Sequence, residues 1–337
     1  MGDLRISCGC RCLALRGTCL LGLLLAGAVT CLPVLAENPW PMNADQAQTL
    51  QQEAAHQLAS GTEKALELAP GITLTLVLVP TGQFTMGAPD GESPLDPDEG
   101  PQSQVRITKP FWMARCEVTN QLYRLFDPAH DSRTIDTNWK DRVGPGIGAN
   151  ADQQPVIRIS WYEAMSFCRW LSERTGLAFR LPTEPEWEWA CRAGTASPWQ
   201  CSADDLFRYA NYADSSVASV KPWALRDAAH NDGERVSAAV GKYLPNAWGL
   251  CDLHGNVAEW CSSLYRPYPY TASAETTDPQ ITDASQAPVD PGARVVRGGS
   301  WDDRPLRARS AARQSYQPDL RVYNVGFRVV CAALPGK

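Results

Sequence analysis

Histidine is scarce in this chain. Only His56, His130, His230 and His254 occur, each alone in sequence, and each reads as a surface or structural residue. A non-haem iron centre needs two histidines and a carboxylate on one point, and nothing here proposes one. There is no Ser-His-Asp order, no Cys-His nucleophile signature and no phosphate-binding glycine loop. Basic residues are outnumbered, 31 against 37 acids, and the net charge of −6 lacks the footprint of a nucleic-acid partner. No segment repeats at a fixed period. Beyond the first 36 residues no apolar run is long enough to span a membrane. Cysteine is missing from the whole stretch between Cys261 and Cys331.

What the chain does have is tryptophan, 12 residues, with 25 glycines and 26 prolines. That composition describes loops and turns pinned by large aromatic anchors, not a helical bundle. Residues 1–36 read as a secretory signal: Arg5, Arg11 and Arg16 precede an apolar Cys19–Ala36 segment. Val34-Leu35-Ala36 offers a cleavage site before Glu37. Lipidation at Cys31 and retention as an anchor are the alternatives. Export, to a periplasm or the extracellular space, puts the mature chain where disulfides form. Seven cysteines lie beyond Ala36, so at least one stays unpaired within the chain.

Residues 37–69 form a polar lead, in which Asn43 caps a helix presenting Ala47, Leu50, Ala54 and Leu58. Ile72–Val79 reads as a strand that turns back through Pro80-Thr81-Gly82 into Gln83–Gly87. The acidic 88–102 segment reads as a solvated loop. Gln104–Ile107 and Phe111–Val118 read as strands, and Thr119 caps a short helix. Residues 127–153 read as a long surface loop. Ser160-Trp161-Tyr162-Glu163 and Thr183-Glu184-Pro185-Glu186 are capping boxes, with Gly176 and Gly194 ending their helices. Loops and short strands follow. No composition break divides residues 70–334, so they form one domain.

The stretch Gly249–Cys261 concentrates the chemistry. Asp252, Asn256 and Glu259 surround Gly255, whose freedom at positive φ lets the backbone aim carbonyls inward. Hard oxygen ligands of this kind suit Ca²⁺. A solvated turn whose carboxylate caps a neighbouring helix is the other reading.

Six motifs then occur in order: Phe84-Thr85-Met86-Gly87, Glu117-Val118-Thr119-Asn120, Arg180–Glu188, Gly255–Trp260, Arg297–Trp301 and Gly326-Phe327-Arg328. With them the chain resembles the formylglycine-generating enzyme, or sulfatase-modifying factor, family over roughly residues 70–333. The resemblance implies an α+β fold of C-type-lectin-like architecture: little regular structure, small antiparallel sheets and a few short helices. It also implies two structural calcium sites. The first would use Asn211, Tyr212, Asp232 and Glu234; the second Asp252, the carbonyls of Gly255 and Val257, and Glu259. Glu234 stands where the family offers only a carbonyl, and Asp252 where it often has Asn.

Copper-dependent members of that family bind Cu(I) with two cysteines following the Gly-Gly-Ser motif. Here Ser300–Arg313 has none, so copper is not expected. The resemblance places Ser300, Trp301, Asp302, Asp303, Arg307 and Asn324 along the former active-site groove. They suit a peptide, a protein or a small polar ligand, with a sulfatase, a surface protein or a glycan as the partner. The alternative is an internal cluster of Asp302 and Asp303 against Arg304, Arg307, Arg309 and Arg313. The disulfides depart from the family. The resemblance matches Cys168 to a disulfide cysteine whose partner position is Val329 here. Cys331 lies two residues on, on the same strand face, which makes a Cys168–Cys331 bond the expectation. Cys191, whose partner position is Ser310, reads as a buried free thiol. The resulting expectation is a binding or accessory module. An oxidase using other groups comes second, and a formylglycine generator third.

Overall fold

Alternating and apolar runs become strands wherever their neighbours are within reach, and short capped segments become helices. The computed structural model describes residues 38–92, 97–136, 146–217, 227–266, 276–277 and 292–334. Residues 1–36, read from the sequence as a secretory signal, lie outside them. In chain order the elements are α1 (Ala44–Gln57), β1 (Glu63–Ala69), β2 (Ile72–Val79), β3 (Gly82–Met86), β4 (Ser103–Ile107), β5 (Phe111–Ala114), α2 (Asn120–Tyr123), β6 (Thr134–Asp136) and β7 (Gly146–Gly148). Then come α3 (Trp161–Thr175), β8 (Phe179–Arg180), α4 (Glu184–Arg192), β9 (Ala258–Leu264), β10 (Thr276–Thr277), β11 (Arg294–Arg297), β12 (Arg313–Tyr316), β13 (Val325–Gly326) and β14 (Val330–Ala332).

The capping signals act as the sequence suggests. The Ser160 and Thr183 side chains accept from the third backbone N–H of α3 and α4, and Glu163 and Glu186 reach back to the cap N–H groups. Asn43 and Gln46 do the same at α1. The buried face of α1 is Ala47, Gln51 and Ala55, rotated from the expected apolar set. Gln51 turns inward because its amide donates to Leu78 O at 2.8 Å and Trp248 O at 2.9 Å. The lead is not only helical: β1 pairs antiparallel with β2. Only Phe111–Ala114 of the expected Phe111–Val118 strand is regular, and the 127–153 segment contains β6 and β7 paired with each other.

Small sheets do the scaffolding. The largest has the order β1-β2-β5-β14-β8, a second β12-β11-β9-β13, and a third β10-β4-β3. Two pairings, β13 with β9 and β10 with β4, are parallel; the other pairings in these sheets are antiparallel. Tryptophan fastens the loops to them. Trp161, Trp187, Trp189, Trp260 and Trp301 are all fully buried. Trp161 donates to Cys261 O, Trp189 to Pro80 O and Trp260 to Ile159 O, at 2.9–3.1 Å. Each ring removes 150–250 Å² from water, roughly 4–6 kcal/mol of transfer free energy as an upper bound. The indole N–H groups of Trp161, Trp189 and Trp260 meanwhile satisfy backbone carbonyls from distant segments.

All seven cysteines among the described residues are free. Cys168 and Cys331, the pair expected to bond, are here both thiols. Both thiols are buried in the same apolar cluster, where they pack as small hydrophobes. Burial raises the thiol pKa of Cys168, and pushes that of Cys331 up to about 12.

Candidate functional site

The Gly249–Val257 loop sits where the small sheets meet, and its path uses left-handed backbone at Gly249, Asp252, Gly255 and Asn256. Gly255 N–H donates to Gly298 O at 2.9 Å and Asn256 N–H to Asn211 O at 2.7 Å. Trp301 N–H returns to Asn256 O at 3.0 Å, and Ala258 N–H reaches Asn324 O at 3.0 Å. One loop thus holds the 211, 298–301 and 324 segments together.

Its carboxylates have divided roles. Glu259 and Arg328 are both fully buried. Arg328 donates from Nε and Nη2 to the Glu259 carboxylate at 2.6–2.9 Å, and Trp187 Nε1 donates to Glu259 Oε2 at 2.8 Å. The Glu259 carboxylate, expected beside Asp252 on a cation, here faces this guanidinium, whose charge dominates in a dry interior. Arg328 spends its remaining N–H groups on Ala114 O, Arg115 O, Cys251 O and Asp252 O.

Asp252 has a different partner, Glu117, which sequence reasoning placed only in a motif. Asp252 Oδ2 accepts from Gly241 N at 2.6 Å, and Glu117 Oε1 accepts from Asn256 Nδ2 at 3.1 Å. Among the described residues no donor reaches the buried Asp252 Oδ1 or Glu117 Oε2. The two carboxyl groups are near neighbours, each side chain carrying one of these donor-free buried oxygens. Burial, then the neighbouring negative charges, raises the pKa of both. Asn211 Oδ1 is a third buried oxygen without a donor.

Around the other expected ligands, Asp232 Oδ2 accepts from Tyr243 Oη at 2.6 Å and Oδ1 from Glu234 N at 2.8 Å. Asp214, which sequence reasoning missed, accepts from Asp232 N at 2.6 Å. The Glu234 side chain pairs with Lys242 at 2.8 Å. Tyr212 Oη donates to Asp227, which also holds His230 at 2.6 Å. No group of three or more His, Cys, Asp or Glu able to hold a metal occurs among the described residues. Any cation here would depend on amide and backbone oxygens as well as carboxylates. The donor-free oxygens of Asn211, Asp252 and Glu117 fit a hard cation of that kind.

The groove residues also separate. Ser300 is buried; its Oγ donates to Asp303 Oδ2 at 2.6 Å and accepts from Asn324 Nδ2 at 2.7 Å. Trp301, expected as the groove wall, is instead fully buried in an apolar cluster with Ile157, Val217 and Val257. A residue after a Gly-Gly turn can point either way, and the larger apolar surface wins the interior. Tyr323 stacks edge-on to Trp301 and donates to Asp302. Asp302, Asp303 and Arg307 stay partly exposed. The expected Asp302/Asp303–arginine cluster has other partners for two of its members. Arg309 pairs with Glu92 and Glu99 at 2.7 and 2.8 Å, and Arg313 with Glu184 at 2.7 Å. The acids of the 88–102 loop are thus in part ion-pair partners. Cys191 faces Ser310 Oγ at 3.6 Å and the buried His254 ring. Burial pulls the His254 pKa down to about 4, so the imidazole stays neutral.

The chain matches the model of the sulfatase-modifying factor enzyme 1-like domain over residues 67–333. It belongs to that family. It is 31% identical to a formylglycine-generating enzyme of Streptomyces coelicolor, over 82% of this chain and 95% of the relative. It is 29% identical to the inactive Cα-formylglycine-generating enzyme 2 of Bos taurus, over 81% and 92%. The solved structure of PvdO from Pseudomonas aeruginosa superposes with a TM-score of 0.64 at 27% identity, covering 80% of this chain and 98% of that one. The fold expected of a sulfatase-modifying factor, mixed α and β with small antiparallel sheets and few short helices, is the one observed. Among the described residues no helix is long and apolar enough to cross a membrane.

Proposed function

We propose that this member of the sulfatase-modifying factor family is an exported, calcium-stabilised binding or accessory module. Its ligand, a peptide, protein or small polar molecule, would occupy the surface formed by Asp302, Asp303 and Arg307. The observation behind this is the Ser300–Asn324 pair. Asn324 gives its amide N–H to Ser300, and its Oδ1 stays buried with no donor among the described residues. A ligand N–H is one way to satisfy that oxygen, since an unmet buried acceptor costs about 1–3 kcal/mol. Asp302 and Asp303 add negative charge, which favours a ligand carrying a cation or several N–H donors.

No cysteine lies between Gly298 and Arg313 to bind Cu(I) in this segment. Soft-metal oxidation at that position therefore has no thiolate to run on. Purified protein supplied with Cu(I), O₂ and a peptide bearing Cys-x-Pro-x-Arg should leave the cysteine unchanged. Aldehyde above the protein-free control would instead establish an oxidase that uses other groups, in line with the Streptomyces coelicolor relative.

The cation proposal has its own readout. Calcium held only by the folded form at a hundred times its dissociation constant adds about 2.7 kcal/mol of stability. The melting temperature should rise by several degrees over an EGTA control. A shift below about one degree at saturating calcium would sink the proposal, because native-state binding must appear as stability.

A further inference from the structure

Two cysteines outside the groove meet across the fold. Cys116 follows the end of β5, and Cys251 lies in the loop before Asp252. The Cys251 backbone N–H donates to Arg115 O at 2.9 Å. Arg328 clamps both segments from the buried side, donating to Arg115 O at 3.2 Å and to Cys251 O at 3.0 Å. The two chains therefore run side by side at this point, and the Cys116 and Cys251 thiols are in hydrogen-bonding contact. Gly241 closes the site from another direction, its ideal Cβ position lying 3.4 Å from Cys116 Sγ. Cys116 is partly exposed and Cys251 is buried.

We propose that Cys116 and Cys251 are a disulfide site, closed by exchange with a small-molecule disulfide. This differs from the Cys168–Cys331 pairing expected from the sequence. The hydrogen-bonded pair first loses one proton to solvent from Cys251. Cys116, the reachable sulfur, passes its own proton across to Cys251 and attacks one sulfur of the small disulfide. That S–S bond breaks, one small thiol leaves and a mixed disulfide remains on Cys116. Cys251, already in contact, then loses its proton and attacks the Cys116 sulfur, releasing the second small thiol. The pair gives up two electrons and two protons, and the small disulfide is reduced to two thiols. The new bond would tie the Asp252 loop to the end of β5, two segments far apart in sequence and joined here by hydrogen bonds alone. A closed loop of that length should stabilise the fold by restricting the unfolded chain.

The test uses the reduced full-length chain equilibrated with oxidised glutathione, then alkylated and peptide-mapped. Labelling of Cys116 and Cys251 should fall together by roughly tenfold or more, with one cross-linked peptide pair lighter by two hydrogens. Cys251→Ser should stop the exchange halfway, leaving glutathione on Cys116, whereas Cys116→Ser should leave Cys251 unmodified. The oxidised wild type should also melt higher than its reduced form. Full alkylation of both cysteines after equilibration, or a bond from Cys116 to any other cysteine, overturns the assignment. The wild-type peptide map decides the matter even where a variant fails to fold.

Discussion

Glu259→Ala should lower folding stability by about 3–5 kcal/mol, the cost of leaving a buried charge without its partner. Arg328 is fully buried and surrounded by carbonyls, with Glu259 its hydrogen-bonded carboxylate. Without that carboxylate the guanidinium must either stay charged in a dry interior or draw water into the domain. Loss of the Trp187 acceptor adds to the damage, since its indole N–H bonds Glu259 Oε2. Glu259→Gln should be less harmful, because an amide oxygen in the Oε2 position still accepts from Trp187 and Arg328 Nε, although the charge is lost and the amide NH2 then faces the Arg328 Nη2 donor.

An apolar double replacement, Glu259→Leu with Arg328→Met, should not restore stability here, although such swaps are often neutral for buried pairs. Arg328 also donates to four backbone carbonyls, and methionine would remove all four bonds, only Arg115 O keeping a second donor among the described residues, the Cys251 N–H. Urea denaturation of the four proteins gives the comparison. A loss under about 1 kcal/mol for Glu259→Ala would mean that water reaches the pair, the regime of surface ion pairs.

Gly255→Ala should be of similar severity by another route. The backbone there has φ near +100°, and an ideal Cβ would lie 2.0 Å from Asn211 O. The obstacle is backbone held by the Asn256 N–H to Asn211 O bond, so no side-chain rotation relieves it. The loop must move, and with it the contacts to Gly298, Trp301 and Asn324. Gly176→Ala is the control: it too has positive φ, +73°, but its Cβ would meet nothing within 4 Å. That variant should lose only the left-handed penalty, about 1–2 kcal/mol. Denaturation midpoints of the two variants separate conformational strain from collision. Equal midpoints would show that the Asn211 segment yields easily and that the loop is not the junction described here.

Much of the local structure could be read directly. The two capping boxes at Ser160 and Thr183, the Asn43 cap and the turn at Pro80-Thr81-Gly82 join residues a few positions apart, where spacing alone determines contact. The ordered motifs carried the family and its fold in the same way. The rest depended on distance in the chain. The sequence proposed Asp252 and Glu259 as ligands of one cation, but could not show that Glu259 also meets Arg328 or that Asp252 lies beside Glu117. Nothing in a short window shows that an arginine near the C-terminus will be buried against this loop. Trp301 looked like a groove wall because it follows Gly298-Gly299-Ser300, but its burial was settled by apolar residues from three other segments.

By itself the sequence determined the capped helices, the acidic charge balance, the want of cysteine after Gly298 and membership of the sulfatase-modifying factor family. Tertiary structure alone decided which acid meets which base, which tryptophan is interior and which two thiols touch. The physical reason is that most of this fold is loop. Helix caps and strand alternation are local and periodic, whereas loops are placed by buried ion pairs, indole hydrogen bonds and left-handed backbone, whose partners come from anywhere in the chain.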